Sequence, residues 1–526
     1  MKKIEVGLLM LFILFLAFFF GKNLNPFSNA MFTFHDETQP ARIQQFVLDL
    51  KNLQIPPRLA PDFSFRLGYP VFNFYAPASY WITSIFSLLG IGIISGLKVS
   101  FLLSIFVGFV TTYFFLREYF DFFPSLTGAI LYISSLYYPL SIFVRGNLGE
   151  VWFLALFPLA LLFLEKNTKK PSRLNFFFLV IILSLLFTVH NVLSALAVVI
   201  ILGFILLRED KRINFAAFIL SLLLSSYFIL PLIVESHLTY ATYVATQTKY
   251  IDHFLCPYQL WQSQWGYGGS IKGCNDGMSF KIGKMQIILS LFGALLFLYR
   301  MFTKQKKEKV FFISIGFLIL SLGSLFMTTY FSKPLWDLFS PILSLFQFPW
   351  RFIAFSLLGI GFFVAYFFHN VKFPYKNIFQ VFIIFLVIGI SSKYFTGRFL
   401  SKKVFEEKFL SREYVEKKAA YQIPEYLPRT ADYEAWRKYE KIPIKKGVID
   451  IHYFPFWNIK VDGKTIIPTR FDELGRPILE LNQSSTIEVS YRETLIEKIG
   501  NFITLFTFGI LLYIIKSKKL WNKLAS

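Results

Sequence analysis

The chain has 526 residues, of which 55% are hydrophobic, 20% aromatic and only 16% charged, with 67 Phe; its mean hydropathy is +0.53. A soluble chain carries about 25% charged residues, so this composition excludes a secreted disulfide scaffold, a disordered chain and an ordinary cytosolic enzyme, and it calls for several membrane spans. Lys and Arg number 54 against 32 Asp and Glu, a net +22; in a polytopic chain such an excess records loops kept in the cytoplasm, not nucleic-acid binding.

Met1-Lys2-Lys3 precedes an apolar run over 6–20. Ser28-Asn29-Ala30 offers small residues for signal-peptide cleavage, but the run is long and bulky for that and reads as a retained first transmembrane helix. A first outer loop follows over 22–97. There Phe34-His35-Asp36-Glu37-Thr38-Gln39-Pro40-Ala41-Arg42 leads into Ile43, Phe46, Val47, Leu50 and Leu53 at helical spacing. Arg42, Gln45, Asp49 and Asn52 take the opposite face, which predicts a helix lying along the membrane surface. Asp36 at its start fits either an N-cap or a catalytic acid.

Further apolar segments occupy 78–96, 98–116, 124–142, 148–165, 174–207, 213–235, 284–303, 309–330, 351–370, 377–396 and 497–516. The 174–207 run is too long for one span and breaks at His190-Asn191. Basic clusters at Lys2-Lys3, Lys166/Lys169/Lys170/Arg173, Arg208/Lys211/Arg212, Arg300/Lys304/Lys306/Lys307/Lys309, Lys372/Lys376 and Lys516/Lys518/Lys519/Lys523 share one side. They do so only if 78–96, interrupted by Gly90, Gly92 and Gly96, dips into the membrane without crossing. The expected fold is an all-α polytopic membrane protein of about 12 transmembrane helices with both termini cytoplasmic. Its parts are a transmembrane domain over 1–396 with outward loops 22–97, 236–283 and 331–350, an extracytoplasmic α+β domain over 397–496, and a last helix with a basic tail over 497–526. In the domain, runs at 448–452, 457–461 and 486–491 with the turn Asp462-Gly463 predict a compact β unit, and 402–441 reads as helical. Its 18 Lys/Arg nearly balance 15 Asp/Glu, so the basic excess belongs to the inner loops.

The only two cysteines, Cys256 and Cys274, share one outward loop, where a structural disulfide is expected rather than a catalytic thiol. No Cys/His spacing suits a metal. Ionisable groups at membrane depth are costly and usually paired or functional. Here Arg145 and Glu150, His190-Asn191, Arg351 and the 35–42 stretch all fall on the outer face. Each alone has a structural reading, His190 as a satisfied polar core residue and Arg351 as a headgroup anchor. Together they suggest one site, in which a carboxylate takes a proton from an acceptor hydroxyl and arginines hold a phosphate. The aromatic loop 250–283, with Trp261, Trp265, Tyr267 and Asp276, reads either as a surface for stacking sugars or as an interfacial aromatic belt.

The segments His35-Asp36-Glu37, Gly68-Tyr69-Pro70-Val71-Phe72-Asn73-Phe74-Tyr75-Ala76-Pro77, Arg145-Gly146-Asn147-Leu148-Gly149-Glu150, Thr188-Val189-His190-Asn191, Trp265-Gly266-Tyr267-Gly268 and Gln347-Phe348-Pro349-Trp350-Arg351 resemble the bacterial multi-pass proteins labelled 6-pyruvoyl-tetrahydropterin synthase-related. Phe454-Pro455-Phe456-Trp457 and Val461-Asp462-Gly463-Lys464 extend the likeness, and more distantly the chain resembles the GT-C superfamily of membrane glycosyltransferases. That resemblance implies a catalytic acid at Asp36, with Glu37 as the alternate, and a second acidic position at Glu150. It implies transfer of a sugar from a polyprenyl-phosphate donor to an extracytoplasmic glycan, lipid or protein acceptor. His35, Arg42, Arg145, Glu150, His190, Asn191, Trp265 and Arg351 would then bind substrate, and a divalent cation is the one cofactor such a site admits. The pterin chemistry of the label is not implied, because the six histidines are scattered. The alternatives are a lipid-linked glycan flippase, with the same arginines and no bond cleavage, and a non-enzymatic scaffold of envelope assembly.

Overall fold

Side-chain oxygens of Asn147, Ser172 and Thr494 accept the free helix-start amides of Glu150, Asn175 and Glu497 at 3.0, 3.1 and 3.1 Å. The helices Leu148–Lys169, Arg173–Phe187 and Leu495–Lys516 follow them, as such caps direct. The computed structural model describes residues 3–206, 211–303, 310–443, 445–480 and 485–525. Lys2, Arg208, Lys304, Lys306, Lys307 and Lys309 of the basic clusters lie outside them.

Among the described residues six helices are long and apolar enough to cross a membrane: Ile93–Arg117, Leu148–Lys169, Lys284–Phe302, Phe311–Thr328, Pro349–Asn370 and Leu495–Lys516. Two bent pairs, Phe122–Ile133 with Tyr137–Val144 and Arg212–Leu224 with Ser226–Leu238, raise the number to eight. Arg173–Phe187, Asn191–Leu206 and Lys376–Ser392 are apolar but shorter. The first apolar run forms the 17-residue helix Lys3–Phe19. The 174–207 run does break at His190, as its polar dipeptide predicts.

The 78–96 segment is divided differently from the sequence expectation. Ala78–Leu88 is an 11-residue helix, about 16 Å long and too short to span. The chain then reverses at Gly90 and Gly92, with φ of +87° and +83°, which favour glycine. Residues 93–97 belong to the next helix, the 25-residue Ile93–Arg117.

The helices Leu148–Lys169 and Pro349–Asn370 form the centre, with 89% of each apolar window buried, against 22% for Lys284–Phe302 and Leu495–Lys516 at the rim. Leu291, Leu295, Phe502 and Phe506 stand exposed on these outer helices, where lipid would cover them. Glycine lets the central helix approach its neighbours closely: a Cβ at Gly293 would run into Phe363 O, and one at Gly128 into Gly361 O at 2.5 Å.

Two small sheets lie outside the bundle. Ala30–Thr33 pairs antiparallel with Arg398–Ser401, Ala30 opposite Ser401 and Thr33 opposite Arg398. In the second, Trp457–Val461 lies between Lys464–Ile466 and Ile487–Tyr491, both antiparallel, and Asp462-Gly463 turns the hairpin. The expected strand at 448–452 does not form. Val448 makes one bridge, to Ile478, and the amide of His452 goes to Leu67 O (2.8 Å) instead of a ladder. The expected helical stretch 402–441 forms only short pieces, Lys402–Phe409, Tyr414–Lys418, Ala419–Tyr421 and Tyr433–Trp436. Pro424 and Pro428 stand between the last two, where proline breaks helices. These pieces pack on the first loop, through Trp436 Nε1 donating to Ser64 Oγ (2.8 Å) and Tyr69 Oη donating to Ile423 O (2.8 Å).

Candidate active site

Backbone hydrogen bonds bring the first-loop acid to the Arg145 turn. The amides of His35 and Asp36 donate to Val144 O and Arg145 O at 2.9 and 3.0 Å. This approach needs a glycine at 146, where φ is +61° and a Cβ would enter the Phe34 ring. The helix Gln39–Lys51 starts just beyond. It does not lie on a membrane surface with its polar face in water. Arg42, Gln45 and Asp49 are 1, 1 and 2% exposed, because residues 58–62 cover Gln45 and Asp49, and Tyr75 and Tyr80 cover Arg42. The apolar face packs through Phe46 on Phe72, Tyr80 and Trp81. Gln45 bonds Asp62, and Asp49 Oδ2 accepts the amides of Arg58 and Leu59 at 3.2 and 3.3 Å. Burial pushes the Asp49 carboxyl up to about 8, against the lowering effect of those two amides.

Asp36 is not an N-cap. Its carboxylate accepts from Thr38 Oγ1 (3.0 Å), Gln39 Nε2 (2.7 Å) and the Arg42 guanidinium. Gln39 also accepts from Tyr80 Oη at 2.9 Å. Arg42 lies over the rings of Tyr75 and Tyr80, 4.5 and 5.8 Å from their centroids, and leaves Nε and Nη1 without a hydrogen-bond partner. Glu37, next in the chain, is half-buried.

Glu150 is fully buried, and its two oxygens are taken by Tyr137 Oη and Arg145. Both oxygens are thus bonded within the protein, one of them to the Arg145 guanidinium. Arg145 also lies over the Trp350 ring at 4.4 Å. Arg351 reaches the same place from the start of Pro349–Phe352. It donates to Phe346 O (2.9 Å), lies 4.9 Å over Phe348, and leaves Nε unpartnered. The buried ring of His190 accepts the Leu193 amide at Nδ1 (3.2 Å) and lies against Gly149, where a Cβ would stand 3.4 Å from its Cδ2. Asn191 bonds the backbone of the first loop. Its Oδ1 accepts from the Ala76 amide (2.7 Å) and its Nδ2 donates to Phe74 O (2.6 Å), so it clamps the segment that carries Tyr75.

Contacts join these groups end to end: the Asp36 amide donates to Arg145 O (3.0 Å), Arg145 and Arg351 lie over the Trp350 ring at 4.4 and 6.0 Å, and Arg42 binds Asp36 while lying over the Tyr75 ring. The loop 250–283 borders them. Cys256 and Cys274 are disulfide-bonded, Cα atoms 5.5 Å apart, and Tyr267 O bonds His35 Nε2 (3.0 Å). Trp265 packs on Tyr394, centroids 5.0 Å apart, beside this border and not among the arginines. Among the described residues no group of three or more His, Cys, Asp or Glu is arranged to hold a metal ion.

Sequence reasoning missed Glu425. It sits partly buried on the turn Pro424–Tyr426, within electrostatic reach of Arg42 and Asp36. Its signal is a lone acid between Pro424 and Pro428 in Ile423-Pro424-Glu425-Tyr426-Leu427-Pro428, away from any charge run. Burial chiefly pushes its carboxyl up to about 7; its own backbone amide and Arg42 pull it down, and Asp36 adds to the rise.

Apolar helices of spanning length around a buried cluster of arginines and carboxylates define a multi-pass membrane protein with a charged site at one end of its bundle. Residues 72–396, more than half of the chain, match the family described as 6-pyruvoyl-tetrahydropterin synthase related domain, membrane protein. The chain belongs to that family. No curated protein sequence matches it. Among solved structures it is similar to the arabinofuranosyltransferase AftD from Mycobacteria, at 13% identity and a TM-score of 0.46 over 75% of this chain and 26% of that one. It is similar to the Archaeoglobus fulgidus oligosaccharyltransferase, at 13% and 0.46 over 76% and 56%. It is also similar to ArnT from Cupriavidus metallidurans bound to undecaprenyl phosphate, at 11% and 0.38 over 81% and 76%. The chain thus spans about a quarter of the mycobacterial protein's length and just over half of the archaeal one's.

Proposed function

We propose that this protein transfers a sugar from a polyprenyl-phosphate donor to an extracytoplasmic glycan, lipid or protein acceptor. The observation that carries the reading is a set of unsatisfied guanidinium donors: Arg42, bound to Asp36, and Arg351 each keep a buried N–H without a partner. Buried donors are normally paired, and two guanidinium groups offering spare N–H bonds suit a phosphate. Asp36 is the general base toward the acceptor hydroxyl, with Glu37 beside it. Arg42 and Arg351 bind the lipid phosphate and stabilise its charge as the glycosidic bond breaks. Arg145, tied to Glu150, supplies a fixed field, and His190 orients the pair. The topology that goes with this reading has about 12 spans, the short apolar helices included, with both termini cytoplasmic and 397–496 extracytoplasmic.

The full chain in nanodiscs, offered undecaprenyl-phosphate hexoses and pentoses, tests it. Asp36→Asn should keep donor binding and lose about 100-fold or more in turnover. Turnover unchanged in that variant defeats the mechanism, and donor crossing the bilayer uncleaved would instead identify a flippase.

A further inference from the structure

Granting the transferase reading, the acceptor needs a place to rest, and the disulfide-closed loop 250–283 contains one. A cavity of about 580 Å³ opens between Tyr258, Trp261, Gln262, Gln264, Asp276 and Lys281. Small-molecule sites run from about 300 to 1,000 Å³, so the cavity has room for more than one sugar ring.

Its walls are fixed by the loop itself. Cys256 and Cys274 are bonded to each other, and Tyr258 Oη donates to Cys274 O (2.8 Å). Asp276 Oδ1 accepts from Gln259 Nε2 (2.8 Å) and Ser263 Oγ (2.7 Å), and its Oδ2 accepts the Gln264 amide (2.8 Å). Lys281 Nζ donates to Tyr394 Oη (3.1 Å), and Trp265 packs on that same ring. Trp265 thus supports a wall from behind, and Trp261 is the tryptophan that lines the cavity.

The Tyr258 and Trp261 rings are 55 and 38% exposed, and Gln262 and Gln264 stand exposed beside them. Rings offer rigid contact area that loses little freedom on binding. A sugar ring has C–H faces that lie on aromatic rings. Its rim of hydroxyls pairs with amides, which donate and accept, and with a carboxylate, which accepts. A phosphate would meet the Asp276 carboxylate, a repulsive element that selects a neutral, hydroxyl-rich ligand over a phospholipid headgroup.

Packed contacts lead from the cavity to the arginines. Ser263 Oγ accepts the Phe280 amide (3.0 Å). The Phe280 ring packs on Trp350, centroids 5.8 Å apart, and Arg145 lies over Trp350. Next to Lys281, Ile282 O accepts the Leu136 amide (3.0 Å) and Ser135 Oγ (3.1 Å), which ties the cavity wall to the turn before Tyr137. A belt of rings at a lipid surface requires no such ties.

We propose that this cavity is the subsite for the saccharide of the acceptor. Sugar rings lie on Trp261 and Tyr258, and their hydroxyls bond Gln262, Gln264 and Asp276.

The test uses the full chain in nanodiscs and saturation-transfer NMR with trisaccharides of glucose, mannose, galactose and N-acetylglucosamine, each free or carried on a dialkylglycerol. The protein should transfer saturation to at least one of them. Trp261→Ala and Gln264→Ala, at exposed positions whose truncation spares the fold, should weaken that binding about tenfold, and Trp261→Phe should restore part of it. Equal binding in wild type and W261A, or binding of none of these sugars, overturns the subsite. Saturation confined to phosphatidylglycerol headgroups of the disc overturns it too, in favour of an aromatic belt. With undecaprenyl-phosphate hexoses and pentoses as donors, W261A should raise the acceptor KM about tenfold and leave the donor KM within about twofold. An unchanged acceptor KM overturns the subsite and leaves the transferase reading standing. Wild-type protein that binds the saccharide through Trp261 but turns over no donor speaks against the transferase reading and supports the saccharide site.

Discussion

Asn191→Ala removes two hydrogen bonds at once and leaves the Ala76 amide and the Phe74 carbonyl without partners. Phe74 and Ala76 are 1 and 0% exposed, so water does not replace the lost bonds from their side. A buried polar group left unpaired costs about 1–3 kcal/mol. Two of them, eased by the partial exposure of Asn191 itself, come to about 2–4 kcal/mol. If all 526 residues unfold together, the unfolding entropy is about 1.1 kcal/mol/K, and the loss lowers Tm by about 2–4 °C. Intrinsic fluorescence during heating in detergent measures this. Asn191→Asp should do no better than alanine, since it keeps the acceptor for Ala76 but points a second oxygen at Phe74 O. Because the clamped segment carries Tyr75, donor binding should weaken in both variants. A Tm for Asn191→Ala within about 0.5 °C of wild type would refute the clamp, as would an aspartate variant more stable than wild type.

Asp49 gives a pH dependence of defined sign. Its folded value is raised to about 8 from an ordinary 3.8, so the native state binds the extra proton, and stability falls as pH rises between those two values. Asp49→Asn keeps an acceptor for the Arg58 and Leu59 amides and removes that titration. Its Tm relative to wild type should rise steadily between pH 5 and 8, and a difference flat with pH would contradict the assignment. Glu150→Gln leaves Arg145 buried without its countercharge, a loss of about 3–5 kcal/mol. Adding Arg145→Met should recover part of it, and strictly additive losses in the denaturation cycle would show that the two groups are not coupled.

The readable part of the site was the part with local spacing. Arg145 and Glu150, five residues apart, stand out together in the sequence, whereas the pairing of Asp36 with Arg42 is seen only in the structure. Placing Arg351 and His190 on one side of the bilayer is an inference from the basic loops. The roles were less legible, because they depend on what else takes each atom. Glu150 spends both oxygens on Tyr137 and Arg145, and Asn191 spends its amide on the backbone. The polar face of Gln39–Lys51 looked like a water-facing face, since periodicity does not distinguish water from a polar loop laid over it. Glu425 escaped notice because its partners lie nearly four hundred residues away in the chain. The strand expected at 448–452 has the right composition, but against its neighbour 475–479 it makes only scattered bonds, Ile449 N to Pro477 O and Tyr453 N to Gly475 O, and Pro477 has no N–H to return.

The small sheet Ala30–Thr33 with Arg398–Ser401 sets a clock on the site. Asp36 hangs three residues past the end of its first strand, and the second strand is translated some 365 residues later. At synthesis rates of about 5–20 residues per second, the acid waits roughly 20–70 s for the chain that holds its strand in place. During that wait five of the six spanning-length helices, from Ile93–Arg117 to Pro349–Asn370, are made, and Glu425 is made after the second strand. Completion of the site is thus tied to completion of the bundle, and a chain stopped before residue 398 carries its arginines into the membrane without a finished centre around them.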